Sequence, residues 1–283
     1  MADCAHRWRP SAFLQASAAL HIGAAVAAVA SPQTWPVGIA SVVANQLAIT
    51  ALGLWPRSTL LGTNVRRLPA RPECAEIAIT IDDGVDAEVT PRVLDILEHY
   101  AAKATFFVIA NTLRRHPDMA HRIIRAGHCI ENHSMTHRHT FALRGMRGMR
   151  CEIETAQQVI ADVTGRMPRY FRAPAGLRNP FLDPVLHALD LTLVSWSRRG
   201  FDTRETDAQR VARRLLHGLQ ARDILLLHDG NAAHTAQGQP VILAVLPHLL
   251  RAAQKQGLHC VTLEHGLRAP SNNPYESSVY AGT

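Results

Sequence analysis

The chain is poor in the features that mark several common protein classes. Its five cysteines, Cys4, Cys74, Cys129, Cys151 and Cys260, include no C-x-x-C pair, which removes zinc ribbons and dithiol redox motifs from consideration. An odd, scattered set of cysteines also fits a reducing compartment better than a secreted disulfide framework. Aromatic residues make up 5% of the sequence, too few for a base-stacking surface. The formal net charge of +7 is dispersed, with no long basic run, so no nucleic-acid partner is expected. No internal repeat or low-complexity tract occurs. What remains is a globular composition, 47% hydrophobic and 19% charged over 283 residues, enough for one large domain or two small ones.

Charged residues are missing altogether from residues 12–31 and 35–55. Each stretch has the roughly 20 residues a helix needs to cross a hydrocarbon core of about 30 Å. Only Pro32, Gln33 and Thr34 separate them, so they read as a tight transmembrane helical hairpin. Trp35 and Trp55 bracket the second stretch, where interfacial aromatics belong. Gln15, His21, Asn45 and Gln46 are polar exceptions that facing helices can pair. A signal peptide or a soluble helical extension is the competing reading, but a convincing cleavage site is missing and a second span follows. Arg7 and Arg9 precede the hairpin, and Arg57, Arg66 and Arg67 follow it. The positive-inside rule then puts both ends on the cytoplasmic side of a bacterial-type cytoplasmic membrane. The expected organisation is a membrane hairpin at 1–56, a linker at 57–75, a catalytic-type domain at 76–267 and a loose polar tail at 268–283.

After residue 75 apolar runs alternate with amphipathic stretches. Strands are expected near 76–82, 104–109, 127–130, 169–172, 191–196, 223–228 and 259–263. Helices are expected from Thr90 as N-cap with Pro91 at the first helical position, from Glu152 to Val163 with Gly165 as the stop, and from a capping box formed by Thr206 and Gln209. Repeated strand–helix units imply a mostly parallel sheet or barrel.

Chemistry-bearing residues fall at the ends of these strands. Ile77 to Ile81 run into Asp82-Asp83-Gly84, and carboxylates just past a buried strand sit where α/β folds place their sites. Two adjacent like charges need a cation, an arginine or different tasks; the plain alternative is a capping turn. His133 and His137 are four apart, so on one helical face they would reach a single metal. With Asp83 they make a two-histidine, one-carboxylate set that leaves positions for water and substrate. Arg172 opens the Pro174–Ala175–Gly176 turn and has the right charge to hold a carboxylate ionised. Trp196, Asp202 and the run Leu225-Leu226-Leu227-His228 complete the series.

These segments, in this order, resemble the motifs of the polysaccharide deacetylase (NodB homology) family of carbohydrate esterases over about residues 75–267. Thr80-Ile81-Asp82-Asp83-Gly84 is similar to T-F-D-D-G, and His133-Ser134-Met135-Thr136-His137 to H-[ST]-x-x-H. Arg172-x-Pro174-x-Gly176, Trp196 with Asp202, and Leu226-Leu227-His228 match the third, fourth and fifth motifs. The resemblance implies a distorted (β/α)7 barrel and metal-dependent removal of N-acyl, usually acetyl, groups from amino sugars. It assigns Asp83, His133 and His137 to a divalent metal, Zn2+ foremost, and Asp82 to the general base. Arg172 would orient Asp82, while His228, held charged by Asp202, would protonate the departing amine. Ala175 N–H would stabilise the oxyanion, with Pro174, Trp196 and Leu226 beside the substrate. Three positions depart from the pattern: Val85 replaces a proline, Ala175 an aromatic and Thr203 a tryptophan. The last two changes weaken walls that would grip a long glycan, and a cytoplasmic domain would meet lipid-linked or nucleotide-linked sugars. An O-acetyl esterase or a non-catalytic, membrane-tethered sugar-binding module are the rival expectations.

Overall fold

The uncharged N-terminal stretches form α1 (Ala12–Ala30) and α2 (Trp35–Leu54), joined by a single 3-10 turn at Pro32–Thr34. They belong to a computed structural model that describes residues 7–71 and 74–268. Ser11 caps α1 through its side-chain oxygen, and Pro36 stands in the first turn of α2, where its missing N–H costs nothing. The polar exceptions pair across the hairpin: Asn45 Nδ2 donates to Ser17 Oγ at 2.6 Å, and Gln46 Nε2 lies 3.2 Å from His21 Nε2. Both helices have a mean hydropathy of 1.7 over an 18-residue window, yet only 6% of each window is buried. Their apolar side chains therefore face outward instead of entering the protein core.

The rest of the described chain is a parallel sheet wrapped by helices. Its strands are β1 (Glu76–Asp82), β2 (Ala104–Val108), β3 (Cys129–Asn132), β4 (Tyr170–Phe171), β5 (Thr192–Leu193), β6 (Arg198–Arg199), β7 (Ile224–His228) and β8 (His259–Val261). Their order is β5-β4-β3-β2-β1-β7-β6, with β8 added to β1, and every pairing is parallel. Parallel neighbours need crossovers, supplied chiefly by α3 (Val89–His99), α4 (Ala110–Leu113), α5 (Pro117–Arg125), α6 (Met146–Thr164), α7 (Leu182–Ala188), α8 (Ala208–Leu216) and α9 (Val241–Lys255), with α10 (Leu263–Leu267) last. The result is the distorted (β/α)7 barrel. β6 had no sequence signal because two arginines make no apolar run.

Period-two alternation sorts the side chains. Ile77, Ile79 and Ile81 pack outward with Leu225 and Leu227 into the main core beneath the helices. Ala78, Ile224, Leu226 and Phe107 form a separate interior cluster with Leu68, Val194 and Trp196. The inward parity of β1 that starts at Ala78 continues through Thr80 to Asp82.

Part of the stretch expected as a linker is built into this barrel. Val65 N donates to Leu193 O at 2.9 Å and Ser195 N to Val65 O at 2.8 Å, while Leu68 N donates to Arg222 O at 2.9 Å. Residues 65–68 thus run between β5 and the start of β7 and fill the gap between the sheet's two edges. Leu68, 2% exposed, enters the interior cluster.

Three local expectations are corrected. The helix expected to start with Thr90 as cap begins two residues earlier, at Val89 with Glu88 in the cap position, and Thr90 Oγ1 instead bonds Asp229. The cap of α8 is Asp207, not Thr206, because the Asp207 carboxylate accepts from Gln209 N and Arg210 N. Helix α6 begins at Met146, six residues before Glu152, and ends at Thr164, where Gly165 caps it in a left-handed conformation with φ of 72°. The expected tail lies outside the described residues beyond Arg268.

Candidate active site

Asp82 is the last residue of β1, and inward parity aims its carboxylate into the barrel mouth. Asp83 follows in a left-handed turn with φ of 71°, and both carboxylates reach His133 Nε2, Asp82 Oδ2 at 3.7 Å and Asp83 Oδ1 at 3.4 Å. Gly230 closely abuts the Asp83 backbone, leaving no room there for a side chain.

The histidine pair is not on a helix. His133 leaves β3 into a loop in which Ser134 and His137 both have positive φ, 71° and 50°. The four-residue spacing works through this turn because polar side chains hold it. Asn132 Oδ1 accepts from Ser134 N at 2.8 Å, Ser134 Oγ accepts from His137 N at 3.0 Å, and Glu152 Oε1 accepts from Thr136 N at 2.8 Å. Neither Asn132 nor Glu152 carries a motif signal in the sequence.

Asp83, His133 and His137 converge. Asp83 Oδ1 lies 3.4 Å from His133 Nε2 and 3.3 Å from His137 Nε2. One ligand atom from each of the three falls within 4.8 Å of the others. His133 Nδ1 sits 2.8 Å from Arg172 O, an acceptor that requires N–H at that nitrogen and leaves Nε2 as the metal-facing atom. Asp83 Oδ1 is buried without a hydrogen-bond partner among the described residues. A buried orphan oxygen facing two imidazole nitrogens is the donor set that a divalent cation satisfies, so the residues fit a metal.

The electrostatics agree. Burial alone would raise the Asp83 carboxyl, but the facing His133, followed by the charges of His228 and His137, holds it below the usual range. Burial likewise opposes charging of His133, yet Asp82 and Asp83 outweigh it and raise its pKa. Burial and the neighbouring His133 charge push His137 down to about 4. The two carboxylates therefore demand positive charge between them, and a bound cation would replace the His133 proton.

Arg172 is 1% exposed and almost fully committed. It donates to Asp82 Oδ1 at 2.6 Å, Thr80 Oγ1 at 2.8 Å, Ser195 O at 3.0 Å and Val194 O at 3.2 Å. Its guanidinium also covers the Phe107 ring at 4.1 Å. On the opposite side, His228 ends β7, with Nδ1 3.0 Å from Asp202 Oδ1, and its backbone N–H donates to Asp202 Oδ2 at 2.7 Å. Burial disfavours charge on His228, but the Asp202 charge and hydrogen bond, then Asp82 and Asp83, raise its pKa overall.

Ala175 sits in the Pro174–Gly176 turn with φ of 54° and ψ of 8°. Its N–H has no acceptor among the described residues. These groups line one cleft of about 190 Å³ that includes Asp82, Asp83, Ala175, Trp196, Leu226 and His228. Pro174 is buried behind the turn. His139 reaches the same cleft, whereas His128 is enclosed elsewhere, with Nδ1 accepting from Ala104 N. Arg199 and Asn231 also line the cleft, and no motif pointed to either.

Comparison with known proteins places this arrangement in a family. Residues 70–194 match the family model for polysaccharide deacetylase. A chitooligosaccharide deacetylase of Azorhizobium caulinodans is 32% identical over 193 residues, covering 65% of this chain and 90% of its own length. A peptidoglycan-N-acetylglucosamine deacetylase of Bacillus cereus is 30% identical over 200 residues, covering 68% and 88% respectively. Among solved structures, a family 4 carbohydrate esterase from Streptomyces lividans, in complex with acetate, has a TM-score of 0.59 and 27% identity. That match covers 66% of this chain and 91% of the other. With its barrel, its strand-end residues and these relatives, the chain belongs to the polysaccharide deacetylase family of hydrolases.

Proposed function

We propose that this protein is a metal-dependent hydrolase that removes an N-acyl group, acetyl in the first instance, from an amino sugar. The observation that carries the reading is the orphan Asp83 Oδ1 facing His133 Nε2 and His137 Nε2 at 3.4 and 3.3 Å, with Asp82 alongside. The deacetylase names of the relatives supply the substrate class.

Asp83, His133 and His137 would hold the metal, with Zn2+ favoured by the mixed nitrogen and oxygen donors. When bound, the metal supplies a Lewis acid for the carbonyl and lowers the pKa of water. Asp82, outside the ligand set, takes the proton from the attacking water, and Arg172 holds its carboxylate aimed. Ala175 N–H points its dipole at the oxygen that gains charge in the transition state. His228, charged and held by Asp202, gives its proton to the leaving nitrogen. Pro174 shapes the turn that presents Ala175, while Trp196 and Leu226 form the apolar wall on which the sugar rests.

The same reading makes α1 and α2 a membrane hairpin of the bacterial cytoplasmic membrane, with the barrel on the cytoplasmic side. Outward apolar side chains and the flanking arginines Arg7, Arg9, Arg57, Arg66 and Arg67 support it. Carrier-linked amino sugars then join soluble ones as substrates.

The test is purification of the full chain with Zn2+, followed by mass spectrometry of a panel of soluble and lipid-linked N-acyl sugars. Metal-dependent loss of the acyl mass supports the reading. Release only from O-acetyl sugars would assign an esterase, and release from none would leave a binding module. A C-terminal reporter active only outside the cytoplasm would overturn the orientation.

A further inference from the structure

The strap that joins the hairpin to the barrel emerges beside the catalytic face. Gly176, in the turn that presents Ala175, is wedged between Pro56 and Trp196; a Cβ there would lie 2.6 Å from Pro56 and 2.8 Å from Trp196. Arg178 N, just after that turn, donates to Gly53 O at 3.1 Å. The C-terminal end of α2 is thereby locked against the mouth of the site.

Between the two lies a groove of about 370 Å³ walled by Trp55, Arg57, Trp196, Arg199, Phe201 and Arg214. Among the described residues no carboxylate lines it. Trp196 and Arg199 also line the catalytic cleft, so the two hollows adjoin. On the other side of Trp55 and Arg57, a hollow of about 670 Å³ adds Arg66, Arg67 and Arg222, again without a carboxylate.

Arg199 is the informative member. Arg67 and Arg198 pair with Asp223, and Arg214 with Glu205. The Arg199 side chain makes no hydrogen bond or close ion pair among the described residues, and its Nε is buried and unsatisfied. Its guanidinium is braced by rings, 5.4 Å from Trp196 and 5.0 Å from Phe201, and feels the charges of Asp202, Asp82 and Asp83 at longer range. The side chain of Arg204, exposed in the cleft, likewise makes no hydrogen bond or ion pair among the described residues. A half-buried planar fork with an unmet donor is built for an oxyanion. Leu54, Trp55, Leu60 and Phe201, 60%, 54%, 48% and 49% exposed, add an apolar rim at this end of α2. Cationic walls beside an apolar rim complement a phosphate attached to a hydrocarbon chain.

We propose that this groove binds the phosphate or diphosphate linkage of a lipid-linked amino sugar, with the lipid along α2 and the sugar reaching Asp82 and Asp83. The proposal rests on the hydrolase and membrane readings above and names the substrate class of that same site.

The test uses the full chain with Zn2+ in detergent, hydrolysing a neutral N-acetylglucosamine oligomer, with farnesyl diphosphate as competitor. Farnesol and inorganic diphosphate are controls for the chain alone and for metal chelation. Farnesyl diphosphate is expected to inhibit at a concentration at least ten-fold below either control. Arg199→Gln and, separately, Arg57→Gln are expected to raise that concentration about ten-fold, each being a loss of one charge-assisted contact. Inhibition no better than farnesol, equal inhibition by phosphatidylglycerol, or indifference to both substitutions would overturn the groove while leaving the hydrolase intact. Absence of hydrolysis of the oligomer and of every lipid-linked N-acyl sugar would instead count against the hydrolase reading. Quenching of tryptophan fluorescence by farnesyl diphosphate, lost in Arg199→Gln, then still decides the groove.

Discussion

Arg172 Nη1 lies 2.6 Å from Asp82 Oδ1, with the two side chains 1% and 3% exposed. Arg172 spends its other donors on Thr80, Val194 and Ser195, so one buried cation ties β1, β4 and β5 to the position of one carboxylate. Arg172→Ala would break this buried pair and take away the hydrogen bond to Asp82 Oδ1, a change that costs about 3–5 kcal/mol. The expected outcome is a clear fall in the thermal unfolding midpoint together with loss of hydrolysis. Arg172→Lys is expected to recover little, because an ammonium cannot reach four acceptors in the geometry of the fork. Thermal melts and acyl-release assays on the two variants check this.

The paired aspartates separate by experiment. Asp82→Asn is expected to keep bound metal near wild-type content while lowering kcat by about 10²–10⁴, the usual worth of a general base. Asp83→Asn is expected to lose the metal itself, since its Oδ1 is the oxygen facing both histidines. Metal analysis of the purified proteins, beside rates, distinguishes the two. Equal metal loss in both would show that the carboxylates share one task.

The alkaline limit of activity should report His228. Burial lowers its pKa, but Asp202, followed by Asp82 and Asp83, raises it above the ordinary 6.5. The charged form is therefore complete below that value and is lost as pH rises through the raised pKa, and activity falls with it. Asp202→Asn removes the largest opposing influence, so the alkaline limb of the kcat profile should move toward acid. The stability that the charged pair contributes follows the same window. A limb that stays in place in the variant would assign the limiting proton to another group.

Glu131, away from the chemistry, should control pH-dependent stability. It is 5% exposed, and burial pushes its pKa from 4.5 up to about 8 despite hydrogen bonds from Tyr170 N and Arg169 N. Below pH 4.5 both states are protonated and nothing is lost. Between there and about 8 the unfolded chain releases a proton that the folded one retains, and stability falls with rising pH. At about 1.4 kcal/mol per pH unit, the total is a few kcal/mol. Glu131→Gln keeps an acceptor for both N–H groups and should flatten the slope between pH 5 and 8, as read by melting midpoints.

Most of the site's residue types were legible because each stands at the end of an apolar strand, where the hydrophobic run stops and a charged or imidazole group begins. Asp82, Arg172 and His228 follow that rule, and strand parity is local enough to be read from the chain. The shape of the histidine segment was not. Four-residue spacing suits a helix, and only Asn132, Ser134 and Glu152, arriving as partners, hold it as a turn with two left-handed residues. The α8 cap shows the same limit on a smaller scale. Thr206 and Asp207 are both good caps, and the geometry of the approaching chain chooses Asp207.

The sequence by itself determined the hairpin, the alternation of strands and helices, and which side chains end up at the strand ends, since these depend on periodicity and on near neighbours. Tertiary structure alone decided that Val65 to Leu68 close the barrel and that α2 ends against the Pro174–Gly176 turn, facts that join residues more than a hundred positions apart. It also left the Arg199 side chain without a hydrogen-bond partner among the described residues. Such outcomes come from packing and hydrogen-bond completion, which no local pattern encodes.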